Sequence, residues 1–339
     1  MRADLRAALS DRVLVADGGM GTMLQGFDLT LDDFAGLEGC NEVLNVTRPD
    51  VVAAIHTAYL DAGADCVETN TFGANLSALA EYGIADRIAE LAGAGARIAR
   101  AAADAAATRE RPRFVLGSVG PGTKLPTLGH ISYAALRDAY QVQAEAMVAG
   151  GVDGFQVETC QDLLQAKAAV TGARRAMAAL GVDVPVFVNV TIEAVGSMLL
   201  GTEIGAALTA LEPLGVDAIG LNCGTGPSEM SEHLRHLSRH ARIPLVCMPN
   251  AGLPELTPQG ARYPMGPEEF VGYLAGYQVE FGLALVGGCC GTTPAHITRL
   301  AEAVAGRAAP VRVPEPVAAV SSLYSEVPLR QDTSYLSIG

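Results

Sequence analysis

The chain has 339 residues, half of them hydrophobic and 18% charged, which is ample apolar material for a core and excludes wholesale disorder. Its 23 basic residues against 37 acidic ones leave a net charge of −14, which argues against a nucleic-acid partner, because phosphate contact needs a basic surface. No apolar run of about 18 residues is free of charges or turn signals, and the N-terminus has no uninterrupted apolar region, so neither a membrane span nor a signal peptide is expected.

In chain order, the first strand is expected at 13–19 (VLVADGG), and a helix at 49–63 that opens with Pro and ends in Gly. A second strand at 66–72 (CVETNTF) and an Ala-rich outer helix at 85–107 follow. Then come a strand at 114–120, a long helix at 133–150 and a strand at 154–160 (GFQVETC). Four more apolar runs, at 186–191, 218–224 (AIGLNCG), 245–250 (LVCMPN) and 283–291 (LALVGGCCG), complete eight strand candidates. The runs are apolar throughout, as strands covered on both faces of a parallel sheet are. A Gly shortly before several of them suits a helix C-cap. Eight such units over about 300 residues point to an α/β (β/α)8 TIM barrel at 1–310. An open doubly wound sheet is the alternative, but 17–26 (DGGMGTMLQG) lacks the G-x-G-x-x-G spacing that such a sheet normally carries.

Function gathers at the C-terminal ends of barrel strands. Those ends carry Asp17, Glu68, Thr69, Asn70, Thr71, Ser118, Glu158, Thr159, Cys160, Asn189, Asn222, Cys223, Asn250, Cys289 and Cys290. The seven cysteines are an odd number with no secretion signal, so a reducing, cytoplasmic setting is expected rather than a disulfide framework. Cys223, Cys289 and Cys290 admit three readings: small buried hydrophobes, a vicinal disulfide, or a three-thiolate zinc site. Adjacent residues of a regular strand point to opposite faces, so Cys289 and Cys290 share a metal only where the strand breaks down, which Gly287, Gly288 and Gly291 permit. Three thiolates leave a fourth zinc position open for a substrate thiol, a set suited to alkyl transfer to sulfur. Asp17 and Glu158 could be general bases, metal ligands, ammonium anchors or helix caps. Backbone amides at 18–22 offer an anion-binding turn.

Taken together, DGGMGTMLQ (17–25), ETNTFGAN (68–75), GSVGP (117–121), GLNCGTGP (220–227), MPNAGLP (248–254) and GGCCGTTPAHI (287–297) resemble the homocysteine S-methyltransferase family over about residues 10–305. The resemblance implies a zinc-dependent (β/α)8 barrel that methylates the homocysteine thiol to give methionine. It implies Cys223, Cys289 and Cys290 as zinc ligands and as the catalytic set. It also implies Asp17 and Glu158 at the substrate amine, Gly18 and Gly19 at its carboxylate, and Thr69, Asn222 and Asn250 near the substrate. The Pro- and Ser-bearing tail, 311–339, resembles the linker that follows this barrel in cobalamin-dependent members. There it leads to a methyltetrahydrofolate-binding module and then to a cobalamin-binding module. Methylcobalamin is therefore the expected donor. An onium donor, S-methylmethionine or betaine, is the enzymatic alternative. A zinc- and homocysteine-binding module that is inactive without its cobalamin partner is the non-enzymatic one.

Overall fold

All eight expected strands form in the computed structural model, which describes residues 3–257 and 260–330. They are β1 (Leu14–Val15), β2 (Cys66–Glu68), β3 (Phe114–Val119), β4 (Gly154–Cys160), β5 (Val186–Val190), β6 (Ala218–Asn222), β7 (Leu245–Met248) and, after a small hairpin β8–β9 (Glu255–Thr257, Gly260–Arg262), β10 (Leu283–Val286). They pair in parallel in the order β1-β10-β7-β6-β5-β4-β3-β2, and a parallel bridge between Ala16 and Cys66 closes the ring. A helix follows each barrel strand, from Pro49–Asp61 after β1 to Pro294–Val304 after β10. The fold is a (β/α)8 TIM barrel. The expected helix at 133–150 forms end to end, whereas 85–107 begins with a 3-10 turn (Ala85–Arg87) before Ile88–Ala106. Gly63, Gly151, Gly215 and Gly282 adopt the positive φ that ends a helix ahead of a strand. Most strands stop short of the expected C-terminal ends, because the last polar residues of each run turn away into the rim.

Leu14, Ala16, Cys66, Phe114, Leu116, Phe187, Ala218, Val246, Met248 and Leu285 fill the barrel interior, and Leu5 and Leu9 of the N-terminal helix Leu5–Asp11 pack into the same cluster. Outward-facing residues of the strands join the helices in a larger apolar layer. The register is held by a repeated device at the entry of alternate strands. Asp65, Asp153 and Asp217 each precede an even-numbered strand. The Asp65 N–H donates to the Val15 carbonyl at 2.7 Å, and its carboxylate accepts the Val15 N–H at 3.0 Å. Asp153 grips Val115 in the same two-way manner, and Asp217 grips Val186. Each carboxylate also holds an arginine: Arg12, Arg100 and Arg6, at 2.7–2.8 Å.

Residues 311–330 lie along the barrel flank. Arg312 donates to the carbonyls of Ser238 and Ala241 at 3.1 and 3.0 Å. A hairpin, β11–β12 (Ala319–Ser321, Glu326–Pro328), meets the loop after β5, where the Glu203 N–H donates to the Tyr324 carbonyl at 2.7 Å. Residues 331–339 of the expected linker lie outside the described residues. Among the described residues, no helix is long and apolar enough to cross a membrane.

Replacing Asp153 tests the clamp. Asp153→Ala removes the inner of the two ion pairs of the largely buried Arg100, which keeps Asp104, and leaves the Val115 N–H without its acceptor, so a loss of about 2 kcal/mol is expected in urea unfolding. Removing the exposed Arg87–Glu90 pair is expected to change stability by less than about 1 kcal/mol.

Candidate functional site

A cavity of about 830 Å³ opens at the C-terminal end of the barrel. Asp17, Gly18, Gly19, Glu68, Thr69, Ser118, Glu158, Cys223, Cys289 and Cys290 line it, with Phe27, Phe34, Glu42, Phe72 and Tyr263 on its outer wall. No Lys, Arg or His belongs to this wall among the described residues. A cavity with four carboxylates, three thiols and no base favours a cationic guest.

Strand geometry sets the positions. Side chains alternate along a strand, so inward-facing Cys66 puts Glu68 one layer higher on the same face. The same count takes Leu116 to Ser118 and Ala218 through Gly220 to Asn222. β4 ends in a bulge between Val157 and Cys160, where Thr159 adopts φ +52°. That conformation is costly for a β-branched residue and marks a backbone held by its neighbours. Asn222 is the holder. Its Oδ1 accepts the Thr159 N–H at 2.7 Å, and its Nδ2 donates to Glu158 Oε2 at 3.0 Å. Ser118 Oγ donates to the other Glu158 oxygen at 2.5 Å. Burial, opposed by these two hydrogen bonds, pushes the Glu158 pKa up to about 7.

Asp17 sits at the mouth of β1, nearly sealed from solvent. Its Oδ2 accepts the Glu68 N–H at 3.0 Å, and its Oδ1 has no partner among the described residues. Burial first, and the Glu158 charge second, raise Asp17 well above the ordinary carboxylate range. Glu68 rises likewise, from burial and from repulsion by Glu158 and Asp17. Neither Asp17 nor Glu158 caps a helix. Asp162 does so instead, accepting the Leu164 N–H at 2.7 Å.

The three rim cysteines converge. Their sulfur atoms lie within 4.8 Å of one another, and all three are half-buried free thiols. β10 ends at Val286, so Cys289 and Cys290 stand on irregular backbone and are freed from strand alternation. Cys223 reaches the same point from a left-handed turn, at φ +56°. Within the trio, hydrogen bonds from Cys223 and Cys289 draw the Cys290 pKa down to about 3. Hydrogen bonds with Cys223 first and Cys290 second, and then burial, drive Cys289 well above the ordinary thiol value. Cys223 accepts from Cys289, but its bond to Cys290 and its burial carry it up to about 12. The other four cysteines are buried away from the trio, and Cys160 packs in the outer apolar layer.

The remaining expected residues take various positions. Gly18 and Gly19 line the cavity, and a side chain at Gly18 would strike Thr292 Oγ1 and the Tyr59 hydroxyl. The Gly19 N–H donates to Thr292 Oγ1 at 3.1 Å. Thr69 is on the wall, but its hydroxyl meets that of Thr71 at 2.6 Å and accepts the Ser118 N–H. Asn222 and Asn250 stand behind the wall. Asn250 Oδ1 accepts the Cys290 N–H at 3.1 Å and so fixes the cysteine loop. Asn189 is fully buried and does not line the cavity. Sequence reasoning missed Tyr263, which follows the β8–β9 hairpin. Its side chain lies over Gly291, and its hydroxyl hydrogen-bonds Cys290. No motif signals it, because only the folding-back of that loop brings it to the cysteines.

Residues 14–304 match the sequence profile of homocysteine S-methyltransferase. The chain belongs to the homocysteine S-methyltransferase family, a family of methyltransferases. It is 64% identical over 336 residues to methionine synthase of Mycobacterium tuberculosis, and 61% identical over 344 residues to methionine synthase of Mycobacterium leprae. Each match covers 99% of this chain and 28% of the relative, so the chain spans less than a third of those proteins. Among solved structures, the metallated form of the homocysteine methyltransferase MmuM from Escherichia coli superposes with a TM-score of 0.70 at 26% identity. That match covers 87% of this chain and 98% of MmuM.

The Asn222 clamp predicts a pH effect. In Asn222→Asp the new carboxylate faces Glu158 at hydrogen-bond distance, and the two share a proton at low pH. The folded state then holds more protons than the unfolded state near neutrality, so stability falls as pH rises. The variant is expected to be close to the parent at pH 5.5 and clearly less stable at pH 8, read as the gap between urea midpoints.

Proposed function

We propose that this chain methylates the thiol of L-homocysteine to give L-methionine and is the homocysteine module of a methionine synthase. The observation that carries this is the convergence of three rim thiols on a base-free cavity with buried carboxylates, in a chain of this family. The donor we propose is methylcobalamin, presented by a cobalamin-binding module outside this chain and recharged through a methyltetrahydrofolate-binding module. Residues 1–310 would be the catalytic barrel and 311–339 the link to those modules. A cytoplasmic location accords with free cysteines throughout the described residues.

The trio fits a zinc ion by its chemistry: three sulfur donors lie within 4.8 Å of one another, and no carboxylate oxygen or imidazole nitrogen belongs to the group among the described residues. Cys223, Cys289 and Cys290 would hold it. Zinc there would leave a fourth position for the substrate sulfur and keep that sulfur as thiolate at neutral pH. The side chains have separate work. Asp17 and Glu158 receive the substrate ammonium. Gly18 and Gly19 let the substrate carboxylate approach backbone, and Thr69 shapes the wall beside it. Asn222 and Asn250 act through others, fixing Glu158 and the cysteine loop. Holding acceptor and donor in line supplies much of the rate, and no strong general base is required of the carboxylates.

A second reading has support from the outer wall. Phe27, Phe34, Phe72 and Tyr263 with Glu42 offer aromatic faces and a carboxylate to a small onium donor such as S-methylmethionine or betaine.

Two measurements test the proposal. Cys289→Ala is expected to lose stoichiometric zinc while keeping its circular dichroism; full zinc retention would remove the ligand assignment. The zinc-loaded chain is expected to form methionine from homocysteine with free methylcobalamin. Turnover with S-methylmethionine alone would favour the second reading. Homocysteine binding with no turnover on either donor would make the chain a binding module.

A further inference from the structure

We propose that Glu68 is a third carboxylate of the substrate-ammonium site and determines its selectivity for a free α-amine. This rests on reading the cavity as the homocysteine site. Glu68 ends β2 on the inward face, beside Asp17 and across from Glu158, and all three line the cavity. The backbone ties the first two together, since the Glu68 N–H donates to Asp17 Oδ2 at 3.0 Å. The acceptor positions are filled unequally. Both oxygens of Glu158 are taken, one by Ser118 and one by Asn222. Asp17 Oδ1 and Glu68 Oε1 are enclosed and have no partner among the described residues. No Lys, Arg or His pairs with Glu68 among those residues, in contrast to the arginine-bound Asp65, Asp153 and Asp217 at the other end of the barrel.

An enclosed carboxylate oxygen with no donor is costly, and a ligand that brings a donor relieves that cost. An ammonium carries three N–H donors and no acceptor, so it satisfies Asp17 and Glu68 at once while resting against Glu158. A ligand lacking the amine leaves both oxygens unfilled. An acylated amine loses its charge and two donors. Among the described residues, the cavity wall has no base that would otherwise neutralise these acids. Glu68 thus brings to recognition an oxygen with no hydrogen bond at all, whereas each Glu158 oxygen already accepts one.

The test compares two thiols by calorimetry on the zinc-loaded chain: L-homocysteine, and 4-mercaptobutanoate, which keeps the thiol and carboxylate but has no amine. Glu68→Gln is expected to weaken homocysteine about 10- to 100-fold and to leave 4-mercaptobutanoate within about twofold. Equal weakening of both thiols would assign Glu68 a merely structural role and overturn the proposal, as would unchanged homocysteine affinity. Zinc content and the urea midpoint check that the variant folds. Should it not fold, Glu68→Asp withdraws the charge by one methylene and is read in the same way, with a smaller selective loss. A parent chain that bound neither thiol would instead overturn the substrate reading itself.

Discussion

A parallel barrel has no turn to fix its register, and here three aspartates do that work. Each grips both the N–H and the carbonyl of one valine on the preceding strand and binds an arginine as well. Because side chains alternate with a period of two, a slip of one residue would turn every inward group outward. The aspartates stand at the entries of β2, β4 and β6, and the far ends of those same strands carry Glu68, Glu158 and Asn222. The clamp at one end of the barrel therefore decides what faces the cavity at the other.

The rim departs from regular strand geometry where chemistry is expected. Thr159 and Cys223 take positive φ values, and β10 ends before its two cysteines. Regular strand would send Cys289 and Cys290 to opposite faces, so the trio exists only because the backbone is irregular there. Asn222 and Asn250 hold that irregular backbone with side-chain amides, spending on local geometry the groups that might otherwise meet a ligand. Their place behind the wall explains how a motif residue can be needed at the site without touching what binds there.

Charge organises the cavity. Burial raises Asp17, Glu68 and Glu158, and repulsion adds to it, from Glu158 on Asp17 and Glu68 and from Cys290 on Glu158, which lowers the cost of crowding acids together until a cation arrives. The thiol trio adds more negative character nearby, since hydrogen bonds from Cys223 and Cys289 draw Cys290 well below the ordinary thiol range. The proposed metal at the sulfurs and the proposed ammonium at the carboxylates would be complementary answers to one excess of negative charge. The overall charge of −14 gives no hint of this local pattern.

The sequence alone determined the eight strand–helix units, because apolar runs with Gly-bearing turns between them are a local signal. It also determined which residues stand at strand ends, and the combined motifs named the family. It could not place Tyr263 against Cys290, because no local pattern encodes the return of a long loop across the mouth. Nor could it separate residues that line the cavity from those behind it: Asn222 and Glu158 are both strand-end polar residues, and only three-dimensional packing makes one the support of the other. Glu68 was legible as a rim residue but not as an acid with an unfilled oxygen, because satisfaction is a property of neighbours brought from distant strands. Local physics fixed the elements, while long-range closure of the ring decided which of their polar ends meet.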